Sequence, residues 1–254
     1  MQQKNLPEIV LGEEYLVAEN GTNDGSQIKY YKDGYWYKED FYGGEGEAEH
    51  LVSLMLDCSD LSQDAYVHYD RIIINGHEGC ASKDFLKANE TLVSFYRLYQ
   101  NTHGGDIAQI LSKMDYDDAI EYVLDFVYKQ TSLDVRTYLA DTFYVDMLCL
   151  NEDRHFNNLN LIFDGNVFKA APIFDNGKSL LVGNKRIQGM TDISEMIKLA
   201  FSKSFSGSFG QNYRYLKESA SITIDRESLY EILAQEPDSF IKDVFLHNLN
   251  RYLR

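Results

Sequence analysis

Two Asp-Gly pairs, Asp33-Gly34 and Asp164-Gly165, each sit between short runs of strand-forming residues. Both central positions of a tight hairpin turn need positive φ, which Asp tolerates and Gly adopts freely, so each pair predicts a β-hairpin. The first joins Gln27–Lys32 to Tyr35–Glu39, and the second joins Leu159–Phe163 to Val167–Ala170. Between them the period of the sequence changes. After Gly43-Gly44, residues Ala48, Leu51, Val52, Met55 and Leu56 recur at the spacing of one helix face, predicting a helix over Glu45–Cys58. Strand character returns over Tyr66–Ile74. From Ser82 onward helical spacing dominates, over Asp84–Asn101, Asp106–Lys113, Asp117–Gln130 and Leu133–Leu150, and again beyond about Asp192.

Composition limits what such a chain can do. With 44% hydrophobic and 25% charged residues over 254 positions, it can bury a full core without staples. Forty acidic against 24 basic side chains give a net charge of −16, which argues against direct nucleic-acid binding, because phosphate neutralisation needs a dense basic face. No window approaches a membrane span, and the N-terminal MQQKNLPEIVLGEEYL lacks the basic-then-apolar run of a secretory leader. Cys58, Cys80 and Cys149 are odd in number and lack metal-ligand spacing, the pattern of reduced thiols. The expectation is a cytoplasmic protein with no membrane contact.

Chemistry concentrates in Asn151-Glu152-Asp153-Arg154-His155-Phe156-Asn157-Asn158, between an apolar helix and the second hairpin. Beyond that hairpin comes Pro172-Ile173-Phe174-Asp175-Asn176-Gly177. Kinases place a catalytic-loop Asp five residues before a metal-binding Asn, with a second metal-binding Asp further on. Asp153 and Asn158 have that separation, and Asp175 follows 17 residues later. Phosphoryl transfer requires these residue types: a carboxylate to accept the proton of the acceptor hydroxyl, and oxygen ligands to hold Mg²⁺ on the phosphates. It also requires a cation on those phosphates. Lys38 shares one face of its strand with Trp36 and is the candidate, with Glu49 on the following helix as its ion-pair partner and Glu45 and Glu47 as competitors. Arg154 and His155 read as structural supports of the loop. Gly21 to Lys29 is glycine-rich enough to approach phosphate, but fits neither a Walker A pattern nor the protein-kinase glycine loop.

These elements resemble the HipA family of bacterial serine/threonine kinases, in particular its short members. The resemblance rests on the Asp153-Arg154-His155-x-x-Asn158 element, on Ala171 to Leu180, and on Glu45-Gly46-Glu47-Ala48-Glu49 after a Tyr-Lys strand, and spans roughly residues 20 to 210. Phosphoinositide kinases share the first element. The resemblance implies an α+β, bilobal protein-kinase-like fold, with a small β-rich lobe holding one helix (residues 1–75) and a larger, mainly helical lobe (76–254). It implies ATP and Mg²⁺ as cofactors, Asp153 as catalytic base, Asn158 and Asp175 as metal ligands, and Lys38 on the phosphates with Glu49 as its partner. Gly25, Ser26 and Lys29 would belong to the phosphate-covering segment, and the hinge would fall near Tyr66–Tyr69, making Tyr69 a nucleotide contact. Thr22, or its neighbour Ser26, would be the position of autophosphorylation. The expected partners are a protein with a Ser or Thr acceptor and an antitoxin-type regulator, although the N-terminal domain with which the longer members contact their antitoxin is missing.

Three readings of function stand side by side: a Ser/Thr protein kinase, a kinase acting on a lipid or small-molecule hydroxyl, and a silent kinase-fold binding module. Between Asn176 and Lys217, seven basic side chains face only two acidic ones. Such a segment suits an acidic partner or, equally, a solvated loop.

Overall fold

The computed structural model describes residues 6–17 and 27–253, so Thr22, Gly25 and Ser26 lie outside the described residues. In chain order the elements begin with β1 (Glu8–Ile9), β2 (Lys29–Lys32), β3 (Tyr35–Glu39), α1 (Glu45–Asp57), β4 (Tyr69–Ile74) and β5 (His77–Lys83). There follow β6 (Thr91–Ser94), α2 (Phe95–His103), α3 (Ile107–Leu111), α4 (Tyr116–Thr131), α5 (Arg136–Cys149), β7 (Asn160–Phe163) and β8 (Phe168–Ala170). The chain ends with α6 (Ile193–Ile197), α7 (Phe209–Leu216), α8 (Arg226–Leu233) and α9 (Phe240–Tyr252). This is an α+β protein. It divides into two compact units, one formed by the chain up to Phe85 with Phe174–Leu199 and Thr223 onward, the other by Leu86–Ile173 with Ala200–Ile222.

In the first unit a five-stranded sheet runs β1-β4-β5-β3-β2, with β1 parallel to β4 and every other pair antiparallel. The β2–β3 turn has Asp33 at φ 51° and Gly34 at φ 80°, the left-handed pair that the sequence predicts. Asn75-Gly76 carries the same chemistry, at φ 52° and 86°, and joins β4 to β5. A division after residue 75 therefore falls on a hairpin turn, and the structure keeps both strands of that hairpin in one sheet. Strand β5 (HEGCASK) has little strand propensity of its own. Its backbone is satisfied on both sides, by β4 and β3.

Helix α1 packs against β4 and β5, with Ala48, Val52, Met55 and Leu56 fully buried. Its first turn comes unusually close to the sheet. A Cβ on Gly46 would lie 2.5 Å from the carbonyl carbon and oxygen of Gly79, and a Cβ on Gly79 would run into the Lys38 carbonyl. Gly46 thus sets the separation of helix and sheet, and Gly79 the approach of β5 to the β3 backbone. Free thiols occupy all three cysteine positions, and no described helix is long and apolar enough to cross a membrane.

In the second unit β6, β7 and β8 form an antiparallel sheet beside the helices. The core is built from Phe95 of α2, Ile120, Val123 and Val127 of α4, Leu139 and Phe143 of α5, and Leu161 of β7. The α4 residues recur at helical spacing, as the sequence predicts, and each such buried side chain contributes roughly 1.5–3 kcal/mol. The continuous helix expected over Asp84–Asn101 is replaced by β6 followed by α2. Thr91–Ser94 pairs with Ser94 opposite Asn160 and Leu92 opposite Ile162, and Ser94 Oγ then caps α2 by accepting the Arg97 N–H at 3.1 Å. A distant strand partner overrides the local helical period here. The second hairpin opens slightly wider than predicted. Phe163 pairs with Phe168, and the Asp164 carboxylate closes the loop by accepting the N–H groups of Asn166 (2.8 Å) and Val167 (2.9 Å).

Arg154 is one of the largest fully enclosed side chains, 2% exposed. Its Nε lies 3.2 Å from both carboxylate oxygens of Asp146 on α5, itself 2% exposed, and an η nitrogen donates to the Asn158 carbonyl at 3.2 Å. Burial pushes the Asp146 carboxyl up to about 6 against the opposing pull of Arg154. The loop that follows α5 is thereby pinned to the helix.

Two stability tests follow from this packing. Gly46→Ala should lower unfolding free energy by about 1–3 kcal/mol in urea titration, because the added methyl forces α1 off the sheet. Arg154→Leu should cost about 3–5 kcal/mol, because it strands a buried carboxylate, whereas His155→Ala on the same loop should cost less than about 1 kcal/mol.

Candidate functional site

Residues of the first unit bring one group of predicted side chains together. The β2–β3 register sets Lys38 opposite Lys29 on one strand side and opposite Cys80 on the other, which turns Lys38 toward α1. One turn beyond the close approach at Gly46, Glu49 meets it: Lys38 Nζ lies 3.3 Å from Glu49 Oε1. The same ammonium lies 3.0 Å from Asp175 Oδ1 and 5.0 Å from the Tyr69 ring centroid. The second oxygen of Glu49 accepts the Asn176 N–H at 2.8 Å, fixing the backbone immediately after Asp175. Asp175 itself sits in the left-handed region, at φ 63°, a strained position for a residue other than glycine.

The competing glutamates are committed elsewhere. Glu45 accepts the N–H groups of Phe41 (3.2 Å) and Tyr42 (2.8 Å). Glu47 faces Arg71 at 3.8 Å and accepts the Ser239 hydroxyl. Burial works against the Lys38 charge, but Asp175, Tyr69 and Glu49 outweigh it and hold the ammonium well above the ordinary lysine value. Lys38 is thereby favoured in its charged form. Lys29 stands directly across the hairpin on the same sheet face, and two like charges at such a cross-strand position repel unless an anion lies between them.

Tyr69 begins β4, and its N–H donates to Ser53 Oγ on α1 at 2.9 Å. It is thus a sheet residue, and the chain passes from the first unit to the second between Phe85 and Leu86. Asp175, expected with the helical half, belongs to the first unit. A cavity of about 810 Å³ in this unit is lined by Asp40, Gly44, Val182 and Ile241, and by neither Lys38 nor Asp175. Volume alone does not mark the chemistry.

The second unit holds Asp153 and Asn158. Fully buried Asn151 accepts the Asp153 N–H at 2.9 Å, and the Asp153 carbonyl accepts from the His155 N–H (2.8 Å) and the Asn158 side-chain amide (2.9 Å). With its NH₂ group so engaged, Asn158 has Oδ1 to offer a cation. His155 Nε2 stands 3.9 Å from the Asp153 carboxylate, and its Nδ1 accepts the Asn157 N–H at 3.2 Å.

One residue on this loop's carboxylate escaped the sequence reading. Lys203 Nζ lies 2.6 Å from Asp153 Oδ1. Two further bonds lash its segment to the loop: Glu152 Oε1 accepts the Phe201 N–H at 3.1 Å, and Ser204 Oγ donates to the Arg154 carbonyl at 2.6 Å. The basic run after Asn176 is in fact divided between the two units. Within it Lys178 lies over the Tyr42 ring and Lys198 pairs with Glu195. The only sequence signal for Lys203 was its place in that run.

No protein-family model matches the chain, and no curated protein sequence matches it. Solved structures do. The chain is similar to the crystal structure of a Helicobacter pylori proinflammatory kinase, CtkA, with 16% identity over 97% of this chain and 93% of that one and a TM-score of 0.67. It is also similar to a chain of the Shewanella oneidensis MR-1 toxin–antitoxin complex of HipA, HipB and operator DNA, with 10% identity over 96% of this chain and 68% of that one and a TM-score of 0.53. The chain shares the fold of these two structures.

Proposed function

We propose that this protein is an ATP- and Mg²⁺-dependent kinase that transfers the γ-phosphate to Ser or Thr hydroxyls of a protein. The observation that carries the proposal is the buried Lys38 ammonium held by Glu49 and Asp175 in a kinase fold. Lys38 would bind the nucleotide phosphates, Glu49 would position it, and Lys29, Gly25 and Ser26 would add to the phosphate contacts. Tyr69 would bound the nucleotide on the Lys38 side. Asp175 and Asn158 offer a carboxylate and an amide oxygen, a hard-donor set that fits Mg²⁺, whose charge would stabilise the phosphates when bound.

Asp153 is the proposed base. As the acceptor oxygen bonds to the γ-phosphorus, its proton passes to the Asp153 carboxylate, the bond from γ-phosphorus to the β–γ bridging oxygen breaks, and ADP leaves. Lys203 positions the Asp153 carboxylate and supplies positive charge beside it. A protein acceptor is favoured over a lipid by the charge of −16, which repels the anionic face of a membrane. The same charge favours a protein regulator, of antitoxin type, over direct contact with DNA. Autophosphorylation at Thr22, or at neighbouring Ser26, belongs to the same proposal.

Incubation of the full chain with labelled Mg-ATP and cell lysate tests it. Wild type should label protein on Ser or Thr. Asp153→Ala and Asp175→Ala should each lose at least about a hundredfold in rate and remain folded, Asp153→Ala keeping the wild-type unfolding midpoint to within a few degrees. Lys203→Ala should lose about ten- to a hundredfold. Intact mass should rise by one phosphate, mapped to Thr22 or Ser26. Absence of transfer by wild type would leave a silent module, and transfer confined to phosphoinositides or small alcohols would overturn the protein acceptor.

A further inference from the structure

We infer that the first unit carries a site for a divalent transition metal, with zinc as its natural type, formed by His50, His68 and Asp70, with Glu236 beside His50. One ligand atom from each of His50, His68 and Asp70 falls within a sphere in which all lie no more than 4.8 Å apart. The rings stand almost perpendicular, at 87°, with centroids 6.4 Å apart. His50 Nε2 is 3.6 Å from Glu236 Oε2, and His68 Nε2 is 3.5 Å from Asp70 Oδ1. Zinc bonds of about 2.0–2.2 Å in tetrahedral geometry place neighbouring ligand atoms roughly 3.3–3.6 Å apart. Both nitrogen–oxygen pairs are already at that separation.

The other nitrogen of each ring is what distinguishes this cluster from surface histidines that happen to be close. His50 Nδ1 lies 2.9 Å from the Tyr69 carbonyl, an acceptor only, so in the neutral ring Nδ1 bears the proton and Nε2 the lone pair. His68 Nδ1 lies 2.8 Å from Asp57 Oδ2, the carboxylate–histidine pairing that orients and strengthens a metal ligand. Both tautomers are thereby set for coordination through Nε2. The anchoring groups are partly shielded: the side chains of His50 and Glu236 are each only 15% exposed. His68 and Asp70, at 41% and 73%, are open to an arriving ion, and His50, Asp70 and Glu236 line a groove of about 860 Å³.

Charge points the same way. Asp57, Asp70 and Glu236 surround two imidazoles, and the nearby cations have carboxylates of their own. Arg71 is paired with Glu78 at 3.0 Å and Glu47 at 3.8 Å, and Lys242 with Asp238 at 3.2 Å. Mixed imidazole and carboxylate donors suit zinc or a neighbouring first-row ion rather than Mg²⁺. Such an ion would join α1, the start of β4 and the segment after α8. His50 follows Glu49 directly, and His68 and Asp70 flank Tyr69, so the metal would brace both elements behind the Lys38 group without touching it. The inference does not depend on the kinase reading.

Equilibrium dialysis of the untagged, metal-free full chain against Zn²⁺, with Co²⁺ as a spectroscopic probe, decides it. Wild type should take up one equivalent of zinc, give the intense visible absorption of tetrahedral Co²⁺, and melt at a higher temperature with zinc than with EDTA. His68→Ala and Asp70→Ala, at exposed positions, should fold normally and bind about a hundredfold and at least tenfold more weakly. Asp57→Asn, a positioning change outside the ligand set, should weaken binding about tenfold. Asp175→Ala should bind zinc as wild type does. No uptake by wild type, or equal affinity in His68→Ala, would overturn the site.

Discussion

An ammonium with a tenth of its surface exposed has to be neutralised where it stands, and that requirement organises the first unit. Stripping a charge of water costs several kcal/mol, recovered only by counter-charges at hydrogen-bond distance. Lys38 obtains two of them, from a helix and from a segment more than a hundred residues away in sequence. The close packing of Gly46 on Gly79 follows from the same need, since a side chain at Gly46 would lift α1 and carry Glu49 out of reach. Glu49 in turn uses its second oxygen to hold the Asn176 backbone, which keeps Asp175 in its left-handed conformation. Helix position, loop conformation and the lysine charge are thus one linked arrangement.

The parts of this arrangement that depend on neighbours in sequence were readable beforehand. Asp33-Gly34 specifies its turn locally, and α1 and α4 announce themselves by apolar spacing. The strands β5 and β6 did not, because HEGCASK and the stretch ending in Ser94 owe their conformation to backbone pairing with strands that sequence spacing does not locate. Asn75-Gly76 carried a turn signal as strong as the others, yet the polar strand behind it hid the hairpin. Glu45 and Glu49 lie four residues apart on one helix face, so periodicity left both as partners of Lys38. The choice is made by the loop before α1, whose Phe41 and Tyr42 N–H groups claim Glu45.

The site was legible to a similar degree and for the same reason. Asp153, Asn158 and Asp175 stand at spacings that phosphoryl transfer would use, so residue type and interval were enough to propose them. Lys203 lies fifty residues from Asp153, in a stretch whose charge suited an acidic partner or a solvated loop equally, and only the fold brings it to the carboxylate. Arg154 reads from the sequence as a support of the loop, and its burial against Asp146 makes it a strut.

In a chain with 40 acidic and 24 basic side chains, where the cations go is informative. Asp175 receives Lys38, Asp153 receives Lys203, and Asp146 receives Arg154. Lysine and arginine carry their charge throughout the neutral range, so none of these pairs needs a metal ion to balance its carboxylate. Around Asp57, Asp70 and Glu236 the positions facing the carboxylates are imidazoles instead. An imidazole neutralises a carboxylate only after taking up a proton or a metal ion. A lysine at either histidine position would have closed the cluster permanently. Two histidines, each with Nδ1 already committed, leave it a place where charge balance depends on what binds.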